Sequence, residues 1–204
     1  YLPMWAQGLL GTTALLGGMT LIPNSLVDVV GTLVVNPLKA RFSNRTLLSM
    51  GLICILISSL GLALAPQSTN IWWLAGIGTF SGFGVGFIFV LLQIKVQVDA
   101  SEKNMAPATS LSYLIRILAQ TVMAAVYGVI MNMELARGVR GNSGITMGML
   151  NKLSDANSAK NLPQNLLPTM RNIFHLGLQE IMWCSTGLLI ISIGLNFIFN
   201  KNTK

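Results

Sequence analysis

An all-α bundle of membrane-crossing helices is the fold this sequence predicts, and three observations predict it. Hydrophobic residues make up 52% of the 204 residues and charged residues only 9%, against roughly 25% charged in ordinary soluble domains. The apolar residues gather in runs close to the roughly 20 residues that a spanning helix requires. Those runs are continuous rather than alternating in polarity, which favours helices over a barrel.

Composition also excludes several functions. The net charge of +7 does not point to nucleic acid, because the basic residues sit at the ends of apolar runs and form no patch with interleaved aromatics. Cys54 and Cys184 fall inside apolar stretches, where a thiol behaves as a small hydrophobe, so neither a disulfide framework nor a metal site is implied. His175 has no second His or Cys at ligand spacing and reads as a loop or interface residue. No nucleophile-base pair stands at usable spacing, so an enzyme and a bound cofactor are both unsupported.

The elements follow in order. Tyr1 to Leu10 reads as the tail of a helix whose beginning is missing, so residues 1–204 are expected to be the carboxy-terminal membrane domain of a longer protein. The first complete run extends from near Ala14 to the basic cluster Lys39, Arg41 and Arg45. Further runs cover Thr46 to Ala65, Ile71 to Gln93, Pro107 to Met133 and Leu178 to Asn200, giving five complete spans and one truncated span. Residues 134–177 form a long extracytoplasmic loop. Its part from Gly138 to Asn161 is rich in Gly, Asn and Ser and reads as a mobile, solvated connector. Pro168, Met170, Ile173, Phe174 and Leu176 suggest a short amphipathic helix with Pro168 in its first turn.

Orientation comes from the short loops. Those carrying Lys39, Arg41, Arg45 and Lys95, Lys103 alternate with the uncharged turn Pro66 to Asn70, which places the basic loops and the tail Lys201 to Lys204 in the cytoplasm. Tyr1 and the long loop then lie outside. The loop's own Arg137, Arg140, Lys152, Lys160 and Arg171 weigh little, because long loops translocate largely regardless of charge.

Two polar constellations interrupt the apolar runs. Thr20, Asn24, Asp28, Thr32 and Asn36 recur at every fourth position and share one broad helix face, with Asp28 near mid-membrane. A carboxylate there is costly and marks a translocation path or an ion-coupling site, or else a permanent buried pair. Tyr113, Arg116, Gln120 and Tyr127 lie within about 60° on a second helix, where Arg116 sits about 13 Å along the axis from Pro107. Its guanidinium can pair with Asp28, bind an anionic cargo, or lock helices together. Asn24 and Gln120 can orient polar groups, while Met4, Trp5 and Tyr113 offer polarizable and aromatic surface suited to amphipathic or cationic compounds. Gly82, Gly84 and Gly86 stand in a Gly-rich span, where small residues permit close helix approach and bending during gating. The run from Gly82 to Gly86 lacks the preceding strand and the soluble βαβ unit of a nucleotide-binding loop.

The opening, with Gln7 four residues before Gly11 and Gly18 five before Pro23, resembles the helix-loop-helix of the fourteen-span drug:proton antiporters of the major facilitator superfamily. Asn36 to Arg45 is similar to a degenerate form of that superfamily's basic cytoplasmic loop, Ser81 to Gly86 to its Gly-rich helix, and Arg116 to the Arg of a following helix. The resemblance implies a partial major facilitator fold and multidrug efflux by alternating access, with amphipathic or cationic cargo exchanged for protons. It also implies an amino-terminal half as partner, and a multi-pass location in the plasma (cytoplasmic) membrane, of bacterial type. Rival readings are a transporter of an anionic metabolite or lipid, and a membrane scaffold that transports nothing.

Overall fold

The computed structural model describes residues 1–159 and 161–199, so the expectations for Lys160, Asn200 and the tail Lys201 to Lys204 lie outside the described residues. A short helix α1 (Leu2–Met4) runs into a π turn (Trp5–Leu9), and α2 (Ala14–Met19) leads into α3 (Leu21–Lys39). Then come α4 (Asn44–Ala63) and α5 (Ile71–Asp99), and a 3-10 turn (Glu102–Asn104) opens into α6 (Met105–Gly141). Two short helices, α7 (Met147–Leu153) and α8 (Ala156–Ala159), precede α9 (Leu167–Phe199). Five of the helices are long and apolar enough to cross a membrane, and no strand occurs among the described residues. The all-α expectation therefore holds.

Local chemistry sets where these helices start. Thr13, Ser43, Asn70 and Thr146 occupy N-cap positions, and each side-chain oxygen accepts from a backbone N–H of the first turn. Each cap satisfies a donor that the helix itself leaves unpaired. For α5 the bond from the Trp72 N–H to Asn70 is 3.1 Å long.

Packing makes an up-and-down bundle. α5 lies against α3, α4 and α6, and α9 bridges α4 and α6, so the last four long helices close a ring with α3 on the outside of α5. α4 and α9 run antiparallel, joined near one end by Asn196 Nδ2 donating to the Arg45 carbonyl at 3.1 Å. Near the other end Gln179 Nε2 donates to the Ala63 carbonyl at 3.0 Å. Between these, the Ser59 and Thr186 hydroxyls meet at 2.9 Å, so one helix pair is stitched by polar groups at three depths.

Three expectations are corrected. The helix predicted to stop at Met133 continues to Gly141, because Leu135 is buried and Gly138 lets Ile173 of α9 pack closely. The expected amphipathic helix and the final span are one continuous helix, in which Gly177 fits under Met131 instead of breaking the chain. The segment expected to be a solvated connector is a packed cap. Ile145, Leu150 and Leu153 are all at most 4% exposed and share a core with Trp5, Met170 and Phe174. The apolar residues of this cap are too sparse for a periodic pattern, and the neighbouring glycines and asparagines dominate its composition.

Candidate functional site

The polar stripe of α3 faces a glycine row on α5. Gly78, Gly82 and Gly86 recur every four residues and form one ridge-free face, against which Asn24 and Asp28 lie directly. A Cβ at Gly82 would come within 2.9 Å of the Asn24 carbonyl carbon, and one at Gly86 within 3.0 Å of the Asp28 carbonyl carbon. On the α3 side, Gly31 repays the approach by admitting the backbone of Phe83 and Phe87. Asn24 Nδ2 donates to the Gly78 carbonyl across the seam at 2.9 Å. Asp28 Oδ1 is buried beside Gly86 with no hydrogen-bond partner. Gly84 points elsewhere, into Gly51 and Ile55 of α4, so alternate glycines of one run serve two different partners.

The two threonines of the stripe bond to their own backbone, and Asn36 is exposed. The Thr20 and Thr32 hydroxyls donate to the Gly17 and Val29 carbonyls at 2.6 and 2.7 Å. Such back-bonding satisfies a hydroxyl in an apolar setting.

Two cavities flank this seam. The first, about 290 Å³, is lined by Asn24 together with Ser58, Ser59, Ser81 and Ser185, with Tyr1 and apolar residues completing the wall. Its hydroxyls are partly committed: Ser59 donates to the Met182 carbonyl at 3.0 Å, and Ser185 donates to the Tyr127 oxygen at 2.8 Å. The Tyr1 and Tyr127 rings meet edge-on at 6.0 Å. Spacing along single helices does not single out these serines. The available signal was the adjacent hydroxyl pairs Ser58-Ser59 and Ser185-Thr186 inside otherwise apolar runs.

The second cavity, about 360 Å³, lies among α4, α5 and α6 and collects Gln93, Ser112, Arg116 and Gln120. Ile55 of α4 lines both cavities. The Arg116 guanidinium carbon lies 3.4 Å from the Phe89 ring centroid and 4.5 Å from that of Tyr113. Arg116 Nη2 is buried and has no hydrogen-bond partner.

Asp28 and Arg116 are therefore not joined. They rest against Gly86 and Phe89, one turn apart on α5, and among the described residues the salt bridge found is between Arg137 and Glu134 on the α6 surface. Tyr113, Arg116 and Gln120 do come together as the helical wheel indicates, whereas Tyr127 of the same face meets Tyr1 and Ser185 instead. Trp5 and Met4 do not reach either cavity. Trp5 is 1% exposed in the core, edge-on to His175 at 5.2 Å, and Met4 packs against the same core. His175 is an interface residue, its Nε2 lying 3.0 Å from the Ala65 carbonyl. Lys39, Arg41 and Arg45 gather at the end of the bundle opposite the cap, where Arg45 also covers the Phe197 ring at 4.6 Å. No group of three or more His, Cys, Asp or Glu that could hold a metal ion occurs among the described residues.

Residues 1–130 match the family profile of the Major Facilitator Superfamily. The chain belongs to that superfamily. It is thus a multi-pass membrane protein, and its five long helices form a partial bundle of that fold. It is 27% identical over 130 residues to "Multidrug resistance protein 3" of Bacillus subtilis (strain 168), covering 64% of this chain and 25% of that protein. It is 24% identical over 202 residues to "MFS-type transporter dmxR4" of Cryptosporiopsis sp. (strain 8999), covering 92% of this chain and 35% of the relative. A similar likeness, 24% over 217 residues, extends to "MFS-type transporter ptmT" of Penicillium ochrochloron, covering 100% of this chain and 36% of the relative. The chain thus spans between 25% and 36% of the length of these relatives. No solved structure matches it.

Proposed function

We propose that this bundle is the carboxy-terminal portion of a proton-coupled multidrug efflux antiporter in the cytoplasmic membrane, working with an amino-terminal half by alternating access. Superfamily membership and the likeness to a protein named for multidrug resistance support the reading. The observation that carries it is Asp28, a carboxylate inside a span with one oxygen buried against Gly86 and unpartnered. A static structural carboxylate would have its oxygens satisfied by donors. An oxygen left open can carry a proton, and the glycine seam lets α3 and α5 slide as that proton comes and goes. Asn24 and the serine-lined cavity then orient the polar groups of an amphipathic, often cationic cargo.

The test uses the full transporter in everted vesicles. With an imposed pH gradient, Asp28→Asn should lower export of a cationic dye at least tenfold while membrane abundance stays within twofold. Unchanged export would refute a role in proton coupling, and parallel loss of abundance and export would show a structural carboxylate.

A further inference from the structure

The second cavity presents a charge, on Arg116, that no carboxylate among the described residues neutralises. The Arg116 guanidinium carbon lies over the Phe89 and Tyr113 rings, which stabilise a cation through their π clouds. Aromatic faces do not accept the strong in-plane hydrogen bonds for which the guanidinium fork is shaped, and Nη2 is buried with no acceptor. Among the described residues no carboxylate lines the cavity. Its other polar groups, Gln93, Ser112 and Gln120, are neutral and each can donate. Beside them Ile88, Leu92 and Ile115 form an apolar wall. The volume of about 360 Å³ falls within the roughly 300 to 1,000 Å³ usual for small-ligand sites.

From this lining we infer that the cavity among α4, α5 and α6 binds an amphipathic monoanion. The carboxylate or phosphate head pairs with the Arg116 fork and takes further donors from the two glutamines and Ser112, while its acyl tail runs along the apolar wall. The same positive charge repels a cationic amphiphile, so this site is separate from the Asn24 cavity and independent of which compound is exported. It lies beside α6, the least buried of the five spans, so the anion can come from the cytoplasm as a free acid or from the bilayer as a lipid headgroup.

Binding of radiolabelled dodecanoate to the full transporter in zwitterionic nanodiscs tests the inference. Dodecanol and dodecyltrimethylammonium serve as the uncharged and cationic probes of equal tail length. Dodecanoate should bind at least tenfold more tightly than either, and Arg116→Gln should remove that preference, whereas Arg116→Lys keeps part of it. Ala119→Phe, which fills the cavity without changing charge, should block dodecanoate and provides an arm that survives misfolding of Arg116→Gln. Adding phosphatidylglycerol to the nanodiscs separates the sources: displacement of dodecanoate assigns the site to a lipid headgroup, and no displacement assigns it to a free acid. Equal binding of dodecanoate and dodecanol, or undiminished binding in both folded variants, would overturn the inference.

Discussion

Gly82→Ala is the most direct test of the seam between α3 and α5. The new methyl would sit 2.9 Å from the Asn24 carbonyl carbon, where carbon atoms prefer about 3.5 to 4.0 Å. The obstacle is backbone, so no rotamer change relieves it and the helices must part by about 1 Å. A gap of that size forfeits about a quarter to a half of the dispersion at each contact it opens. It also stretches the 2.9 Å bond from Asn24 to the Gly78 carbonyl, a class of interhelical bond worth about 0.6 kcal/mol in membranes. Together with the usual overpacking cost of about 1 to 3 kcal/mol, the gross loss is about 2 to 4 kcal/mol. The better helix propensity of alanine offsets about 1 kcal/mol, leaving a net destabilisation of about 1 to 3 kcal/mol. Gly76→Ala is the matched control, since nothing lies within 4 Å of its Cβ position; it should be neutral or stabilising by up to about 1 kcal/mol. Unfolding in detergent, followed by thermal shift and by denaturant titration, measures both. Asn24→Ala should not rescue Gly82→Ala, because the clash is with main chain. Equal stability of the two glycine variants would refute a close-packed seam at this depth.

Three further outcomes follow from the same geometry. Asp28→Asn and Arg116→Gln should add in unfolding free energy to within about 0.5 kcal/mol, since no ion pair joins them; coupling well above that in the double variant would mean they meet in another conformation. Leu150→Ala, at a position 0% exposed, should cost about 2 to 5 kcal/mol, whereas a solvated connector would tolerate it. In a background lacking Cys54 and Cys184, cysteines at Ala40 and Asn151 should react with an impermeant maleimide from opposite sides of the membrane, and same-side labelling would contradict the orientation drawn from Lys39, Arg41 and Arg45.

The helical class, the five spans and the separation of a basic end from the rest are legible in the amino-acid order alone. These depend on run length, charge content and cap residues such as Ser43 and Asn70, all properties of neighbours in the chain. It also placed Asn24 with Asp28, and Tyr113 with Arg116 and Gln120, because a helix fixes the angle between its own residues. What it could not supply is the partner each face meets. Only tertiary packing turned Gly82 and Gly86 toward α3 but Gly84 toward α4, and brought Ser59 against Thr186, 127 residues away in sequence. Packing also decided that Trp5 lies in the core, that Asp28 and Arg116 stand unpaired on either side of one α5 turn, and that a Gly- and Asn-rich segment folds down as a cap. A helical wheel gives direction without distance, and two charges at similar depth become a pair only if the helices carrying them turn the right faces together.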